Sequence, residues 1–299
     1  MTGLSTRNAI VVGVDGSRTG LSAALWAAGV ASRLHCRLVV ACVATHPEYY
    51  FSNAAFLRSP EQPTQALQNA KVVVSGAIEF VRSNYADLDV VSTVLEGPVV
   101  AKLVALSEDA RMVVLGNGGA NVVSSLLLGS TALGVANHAH CPVVLWRGDH
   151  EPPESNHHRV VVGIDGSESG EEAIAHAFEY ASAFGVPLVA LHAWQPDTLP
   201  VHYPVADALH PVAVQAEAEA GLLAACIAGW AERYPDVVVI RATERGSAAD
   251  ALLAQAGSTD LLVVGSRGLH RVVGTLLGST SQDMIHHAPC PVMICRIDD

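Results

Sequence analysis

One stretch of this chain occurs twice, and that repetition limits what the chain can fold into. Ala9 to Ser17, A-I-V-V-G-V-D-G-S, returns as Arg159 to Ser167, R-V-V-V-G-I-D-G-S. Cys141-Pro142-Val143 returns as Cys290-Pro291-Val292, and Arg147 returns as Arg296. The offset stays at 149 or 150 residues throughout, so a whole domain is duplicated rather than a local motif. Between the copies Asp149 to His158 reads D-H-E-P-P-E-S-N-H-H, polar and proline-bearing, which is linker composition. The expected organisation is one domain over 1–148, a linker over 149–158 and a second domain over 159–299. A chain of 299 residues, half of them hydrophobic, can bury two ordinary cores.

Each copy alternates strand and helix. In the first, Ala9 to Val14 is a β-branched run suited to a strand covered on both faces. Thr19 to Leu34 is alanine- and leucine-rich and reads as a helix, and Arg37 to Val43 reads as a second strand. A helix over Gln65 to Asn84, a strand over Val90 to Leu95, a helix over Pro98 to Ser107 and a strand over Met112 to Leu115 follow. A short helix from Thr131 and a strand over Val143 to Trp146 close the copy. The second copy places strands near Val160 to Ile164, Leu188 to His192, Val237 to Ala242, Leu261 to Val264 and Val292 to Cys295. Ala44 to Pro63 and Trp194 to Pro211 read as long irregular loops, which in compact domains are usually functional. Five alternations per copy imply a parallel sheet with right-handed crossovers and helices on both faces. Ligands of such sheets sit beyond the carboxyl ends of the strands.

Those ends carry the candidate site. Met112 to Leu115 runs into Gly116 and Gly119, then nine residues, then Gly129-Ser130-Thr131. Leu261 to Val264 runs into Gly265 and Gly268, then nine residues, then Gly278-Ser279-Thr280. Glycines let backbone approach closely and adopt positive φ, and a helix start offers N–H donors with the partial positive charge of its dipole. Together they make an anion cradle suited to phosphate. The ordinary alternatives are turn glycines and Ser or Thr helix caps. Asp15 and Asp165, after Gly13 and Gly163, fit ribose or adenine donors, or a divalent cation bridging phosphates; their alternative is capping of the next helix. No G-x-x-x-x-G-K-[ST] occurs, the only lysines being Lys71 and Lys102, and Gly13-Val14-Asp15-Gly16 lacks the G-x-G-x-x-G of a dinucleotide fold.

Charge excludes other classes. Through Asp149 the chain has ten basic and ten acidic residues, so the whole net charge of −12 falls in the second half. An acidic surface without a basic stripe opposes binding of nucleic acid or an anionic membrane. Met1 to Asn8 lacks the apolar region of a signal peptide, and every apolar run is broken within about 18 residues by Gly, Pro or charge, shorter than a bilayer requires. The six cysteines include no C-x-x-C pair and read as buried reduced thiols. His138 with His140, and His286 with His287, lie near helix ends without acidic or cysteine partners at ligand spacing, which favours structural roles over a metal site. No Ser-His-Asp or Cys-His arrangement suggests a catalytic triad.

These residues resemble the universal stress proteins in their tandem two-domain form, over essentially the whole chain. The resemblance rests on V-V-G-V-D-G-S at Val11 to Ser17, on V-V-G-I-D-G-S at Val161 to Ser167, and on G-x-x-G, nine residues, G-[ST] in both halves. It implies two Rossmann-like domains of the adenine nucleotide alpha hydrolase type, each a five-stranded sheet of order 3-2-1-4-5, binding ATP with Mg²⁺ bridging its phosphates. It assigns Asp15 and Asp165 to the ribose and the backbone of Val43 and Ala193 to adenine. The phosphates fall to the loop glycines with Ser130, Thr131, Ser279 and Thr280. It also implies pairing of the two domains through their last strands, Val143 to Trp146 against Val292 to Cys295, with a homodimer as a further assembly. Gly118 stands where the second copy has Arg267, and Ser125 where it has Gly274. An arginine beside the cradle neutralises phosphate, making the second site the tighter one, unless Arg267 pairs with a surface acid.

The reading that follows is a cytoplasmic ATP-binding stress-response regulator, a sensor or switch with one nucleotide per domain and no catalytic residue. The enzyme alternative is slow ATP hydrolysis or nucleotidyl chemistry, for which only Asp15, Asp165 and Arg267 are candidates. The third reading is a nucleotide-free interaction scaffold.

Overall fold

The computed structural model describes residues 6–45, 62–116, 129–147, 159–195, 205–257, 259–268 and 277–296, with backbone alone at 62–64 and 205–211. The chain divides into two compact units, Met1–Pro153 (with the last two residues) and Glu154–Ile297.

Unit 1 runs β1 (Ile10–Gly13), α1 (Arg18–Arg33), β2 (Leu38–Ala44), α2 (Gln62–Asn84), β3 (Val90–Glu96), α3 (Val99–Ser107), β4 (Met112–Gly116), α4 (Ser130–His138) and β5 (Val143–Trp146). Its strands lie in the order β3-β2-β1-β4-β5, all parallel. Ile10, Val11, Val12, Val113 and Val114 are fully buried, as a sheet with helices on both faces demands. α1 meets this sheet through Ala23, Ala24, Ala27, Ala28 and Ala31, whose small side chains bring the helix close.

Unit 2 repeats the plan with β6 (Val160–Gly163), α5 (Glu168–Phe184), β7 (Leu188–Trp194), α6 (Val205–Arg233), β8 (Val239–Arg245), α7 (Ala248–Ala256), β9 (Leu261–Gly265), α8 (Ser279–His287) and β10 (Val292–Cys295). Its strand order, β8-β7-β6-β9-β10, is the same 3-2-1-4-5 arrangement. The expected fold class therefore holds in both halves. α5 gains Glu168 and Glu171 in its first turn, where carboxylates complement the helix dipole, and ends on left-handed Gly185.

The expected loop from Trp194 to Pro211 is in part helical, because α6 begins at Val205. Ala206, Ala208 and Leu209 are strong helix formers immediately before Pro211. Within α6, Val212–Arg233 is long and apolar enough on average to cross a bilayer; Glu217, Glu219 and two glycines interrupt it. Alanine raises the mean hydropathy here, and the helix packs on β7, β8 and α5. Residues 46–61, most of the other expected loop, and the linker residues 149–158 lie outside the described residues. None of the six cysteines forms a disulfide; four are buried, while Cys36 and Cys226 are half-buried.

Two glycines set the geometry at the carboxyl ends. A Cβ on Gly116 would lie 2.9 Å from the Thr19 carbonyl carbon of α1, and one on Gly265 would lie 2.9 Å from that of Ser169 on α5. These contacts are backbone and cannot give way by rotating a side chain. Gly265→Ala should therefore cost about 1–3 kcal/mol in the urea unfolding of unit 2. Gly229→Ala, on α6 where a Cβ meets nothing within 4 Å, should gain up to about 1 kcal/mol from helix propensity. Equal midpoints for the two variants would refute the packing account.

Candidate functional site

The site is most completely described in unit 2. After β6 the chain turns through Asp165-Gly166-Ser167, with Gly166 at φ +79, a left-handed conformation that glycine adopts without strain. The Ser167 N–H donates to Asp165 Oδ1 at 3.0 Å, closing an Asx turn. Ser167 then caps α5, its Oγ accepting from the Gly170 N–H at 3.1 Å. The alternative role for this aspartate, helix capping, belongs to the serine two residues on. Asp165 Oδ2 faces the glycine loop, where a Cβ on Gly268 would lie 2.7 Å from it.

The loop itself is tied from three sides. Gly265 packs on the backbone of Ser169, the Ser169 Oγ donates to the Arg267 carbonyl, and the Ser266 N–H donates to the Cys295 carbonyl of β10 at 2.6 Å. The start of α8 is pinned to the same loop, because the Gly278 N–H donates to the Ser266 carbonyl at 2.8 Å and Ser281 Oγ to the Gly265 carbonyl at 2.6 Å. Its N-cap is Gly278, with no side-chain cap. Ser279 and Thr280 are thus the first helical residues rather than caps, and their N–H groups belong to the set that an α-helix cannot satisfy internally. Asp165, Gly268 and the uncapped start of α8 converge at the carboxyl ends of β6 and β9.

Unit 1 repeats the described parts. The Ser17 N–H donates to Asp15 Oδ1 at 3.0 Å, Ser17 Oγ accepts from the Gly20 N–H at 3.0 Å, and Gly16 has φ +83. α4 starts at Ser130 on an N-cap, Gly129, with no side-chain cap. Gly118, Gly119, Ser125 and, in unit 2, Gly274 lie outside the described residues.

The expected positive φ does not occur at Gly116, Gly265 or Gly268; glycine is needed there for close approach. Gly13 and Gly163 meet the core, their Cβ positions lying 2.6 Å from Leu115 and 3.1 Å from Leu252. Val43 and Ala193 stand beyond the ends of β1 and β6. The Val14 and Ile164 N–H groups donate to the Ala41 and Leu191 carbonyls, so by strand alternation the backbone of Val43 and Ala193 points past those ends. That geometry suits the edge of a planar base. Arg267 is half-buried at the loop. The described residues contain no group of three or more His, Cys, Asp or Glu that could hold a metal ion. An open groove of about 600 Å³ in unit 1, lined by residues such as His35, Arg37 and Asp89, lies at the amino ends of the strands, away from these donors.

Sequence reasoning missed three participants. Ser169 and Ser281 hold the loop, and the buried His192 bonds both the Ile164 carbonyl, at 2.7 Å from Nδ1, and Glu219 Oε2, at 2.8 Å from Nε2. A histidine inside the apolar strand L-V-A-L-H-A-W, where the first copy has Cys42, was the available signal.

A sequence profile of the Universal stress protein family matches the chain twice, over residues 6–147 and 156–296. A universal stress protein of Mycobacterium tuberculosis is 38% identical over 296 residues, 97% of each chain. Another, from Mycolicibacterium smegmatis, is 36% identical over 299 residues, 98% of each. The solved structure of a universal stress protein from Archaeoglobus fulgidus, 21% identical, superposes with a TM-score of 0.69 over 98% of this chain and 100% of its own, a likeness of fold. The chain belongs to the universal stress protein family.

Burial and the nearby Asp15 carboxylate push the Cys42 thiol up to about 11, against an opposing hydrogen bond from the Val43 backbone. Burial, Asp165 and Glu171 likewise push the Cys226 thiol up. Since the thiolate is the reactive form, alkylation of Cys42 in the folded protein should keep accelerating with pH beyond the ordinary thiol range. Asp15→Asn should move its midpoint down. Peptide mapping after timed iodoacetamide treatment checks this, and a midpoint near 9 in the unsubstituted protein would refute the assigned environment.

Proposed function

We propose that this universal stress protein binds ATP at the carboxyl ends of the strands, one nucleotide per unit, and that occupancy sets its conformation or choice of partner. The observation that carries the reading is the convergence, in unit 2, of the Asp165 turn, the close-packed Gly268 and the uncapped helix start at Gly278. Each element suits a different part of one nucleotide. The helix start and loop supply preorganised N–H donors for phosphate, with the hydroxyls of Ser279 and Thr280 beside them. Asp165 presents an acceptor to the ribose hydroxyls, and the backbone of Ala193 meets the base edge.

In unit 1 the same roles fall to Asp15, Val43, Gly116, Gly119, Gly129, Ser130 and Thr131. Mg²⁺ enters with the nucleotide, neutralising charge on its phosphates, since the described side chains form no metal cluster of their own. Arg267 adds a fixed positive charge in unit 2 alone, so that unit takes the tighter nucleotide.

Native mass spectrometry with ATP, with and without Mg²⁺, should find two nucleotide masses per chain; none under any condition would defeat the proposal. Gly268→Ala drives a Cβ into the Asp165 carboxylate and should remove one equivalent, leaving the other. Arg267→Ala should weaken one site about tenfold or more, as loss of a hydrogen bond to a charged group does. Two undisturbed equivalents in Gly268→Ala would place the nucleotide elsewhere.

A further inference from the structure

We infer that His192 and Glu219 are positioning residues of the unit 2 site, and that one proton shared between them makes nucleotide binding there pH-dependent while unit 1 lacks the device. The inference rests on the proposed nucleotide site. It begins with the imidazole, whose side chain is 7% exposed. A carbonyl only accepts, so Nδ1, 2.7 Å from the Ile164 oxygen, carries a hydrogen. Nε2 then meets Glu219 Oε2 at 2.8 Å, and that contact needs one proton, whether it resides on the ring or on the carboxyl. Remove that proton and the lone pair of a buried Nε2 faces the carboxylate of a half-buried Glu219, an arrangement that drives the two apart.

What the pair joins is the site. Ile164 is the residue before Asp165, and His192 is the residue before Ala193. Glu219 stands on α6 one turn from Leu222, which covers Gly166 of the Asp165 turn, its Cδ1 3.7 Å from a Cβ built there. The same helix carries Cys226, close enough to Asp165 to feel its charge. The two hydrogen bonds therefore lock the ends of β6 and β7 to α6 behind the nucleotide.

Unit 1 shows that the fold does not need this lock. In register, Cys42 stands beside Val14 as His192 stands beside Ile164. With α2 ending at Asn84 and α6 at Arg233, the counterpart of Glu219 is Ala70, buried at 4%. Both polar partners are replaced together by small apolar residues, and the same strand order and Asx turn form without them.

The other ionisable groups on the described parts of the elements packed about His192 are Asp165 after β6; Glu168, Glu171, Glu172, His176, Glu179 and Tyr180 on α5; Glu217, Cys226, Glu232 and Arg233 on α6; Arg241, Glu244 and Arg245 on β8; and Asp250 on α7, with His176 set against Glu179 at 3.9 Å on its own helix. Carboxyl and guanidinium groups ordinarily hold their charge between pH 6 and 9. The Cys226 thiol is pushed above its ordinary value. Of these groups, His192 and Glu219 alone carry the hydrogen bonds that join the ends of β6 and β7 to α6, so it is their shared proton that bears on the site.

Calorimetric titration of the full chain with MgATP from pH 6 to pH 9 tests this. One of two equivalents should weaken at least tenfold as pH rises, with the slope of a single proton, while the other stays level. Glu219→Gln keeps a hydrogen bond to neutral imidazole through its amide and should hold the tight affinity at every pH. The double variant His192→Cys with Glu219→Ala, which installs the pair unit 1 already folds with, should give a level profile of weaker affinity. Two parallel profiles in the unsubstituted protein, or an unchanged profile in the double variant, would overturn the inference. If no nucleotide binds at any pH, the site reading fails separately. The lock is then read by hydrogen exchange of the Ile164–Ser169 amides, corrected for intrinsic pH dependence. Protection should fall with pH in the unsubstituted protein and not in Glu219→Gln, and equal protection would overturn it.

Discussion

The contact between the end of the fourth strand and the first turn of the first helix governs the rest of each unit. Gly116 against Thr19 and Gly265 against Ser169 bring backbone to backbone at distances that no side chain allows. Because β9 ends so close to α5, the loop that leaves it can be held by Ser169, and its next glycine, Gly268, comes to rest on the Asp165 carboxylate. The start of α8 inherits its place from that loop through the Ser266 and Gly265 carbonyls. Without the close approach there would be a turn, a loop and a helix, but not one site. A donor set preorganised in this way costs little to order when an anion arrives.

Both units build this arrangement with the same local chemistry. Aspartate closes an Asx turn onto the serine, and the serine caps the helix, so one carboxylate oxygen is occupied by backbone; in unit 2 the other faces the loop at Gly268. This division of labour explains why D-G-S recurs as a unit. Aspartate alone could cap a helix, and serine alone could do so too, but only the pair caps the helix while leaving a carboxylate oriented at the strand end. Gly16 and Gly166, both at positive φ, supply the turn between them.

Most of this was legible in the sequence, because strand runs, the D-G-S turn and glycine spacing are local signals that duplication displays twice. Val143–Trp146 and Val292–Cys295 match their expected bounds residue for residue. Three features were not legible, each for a physical reason. The start of α6 was obscured by Pro211, a local breaker immediately preceded by strong helix formers. Of the two properties expected of the strand-end glycines, close approach holds and positive φ does not occur at Gly116, Gly265 or Gly268, since sequence does not reveal which backbone a strand will meet. His192 was passed over because its meaning lies in Glu219, 27 residues away on another element. Periodicity finds faces, not partners, and a buried histidine in an apolar strand is intelligible only once its acceptor is known.

That histidine also shows how duplicated sites diverge. A contact between a buried imidazole and a half-buried carboxylate is at best weakly stabilising against an apolar pair, yet removing the carboxylate alone leaves a buried ring nitrogen unsatisfied, typically at about 1–3 kcal/mol. Against a total stability of about 5–15 kcal/mol for a domain, a half-replaced pair is a substantial loss. The two states favoured at this position are thus both polar or both apolar, and the chain contains one of each: His192 with Glu219, Cys42 with Ala70. Since the apolar version folds to the same topology, stability does not account for keeping the polar one in unit 2. What the polar version adds is a shared proton behind the Asp165 turn, at a position where the first copy, with the same Asx turn and helix cap, carries none.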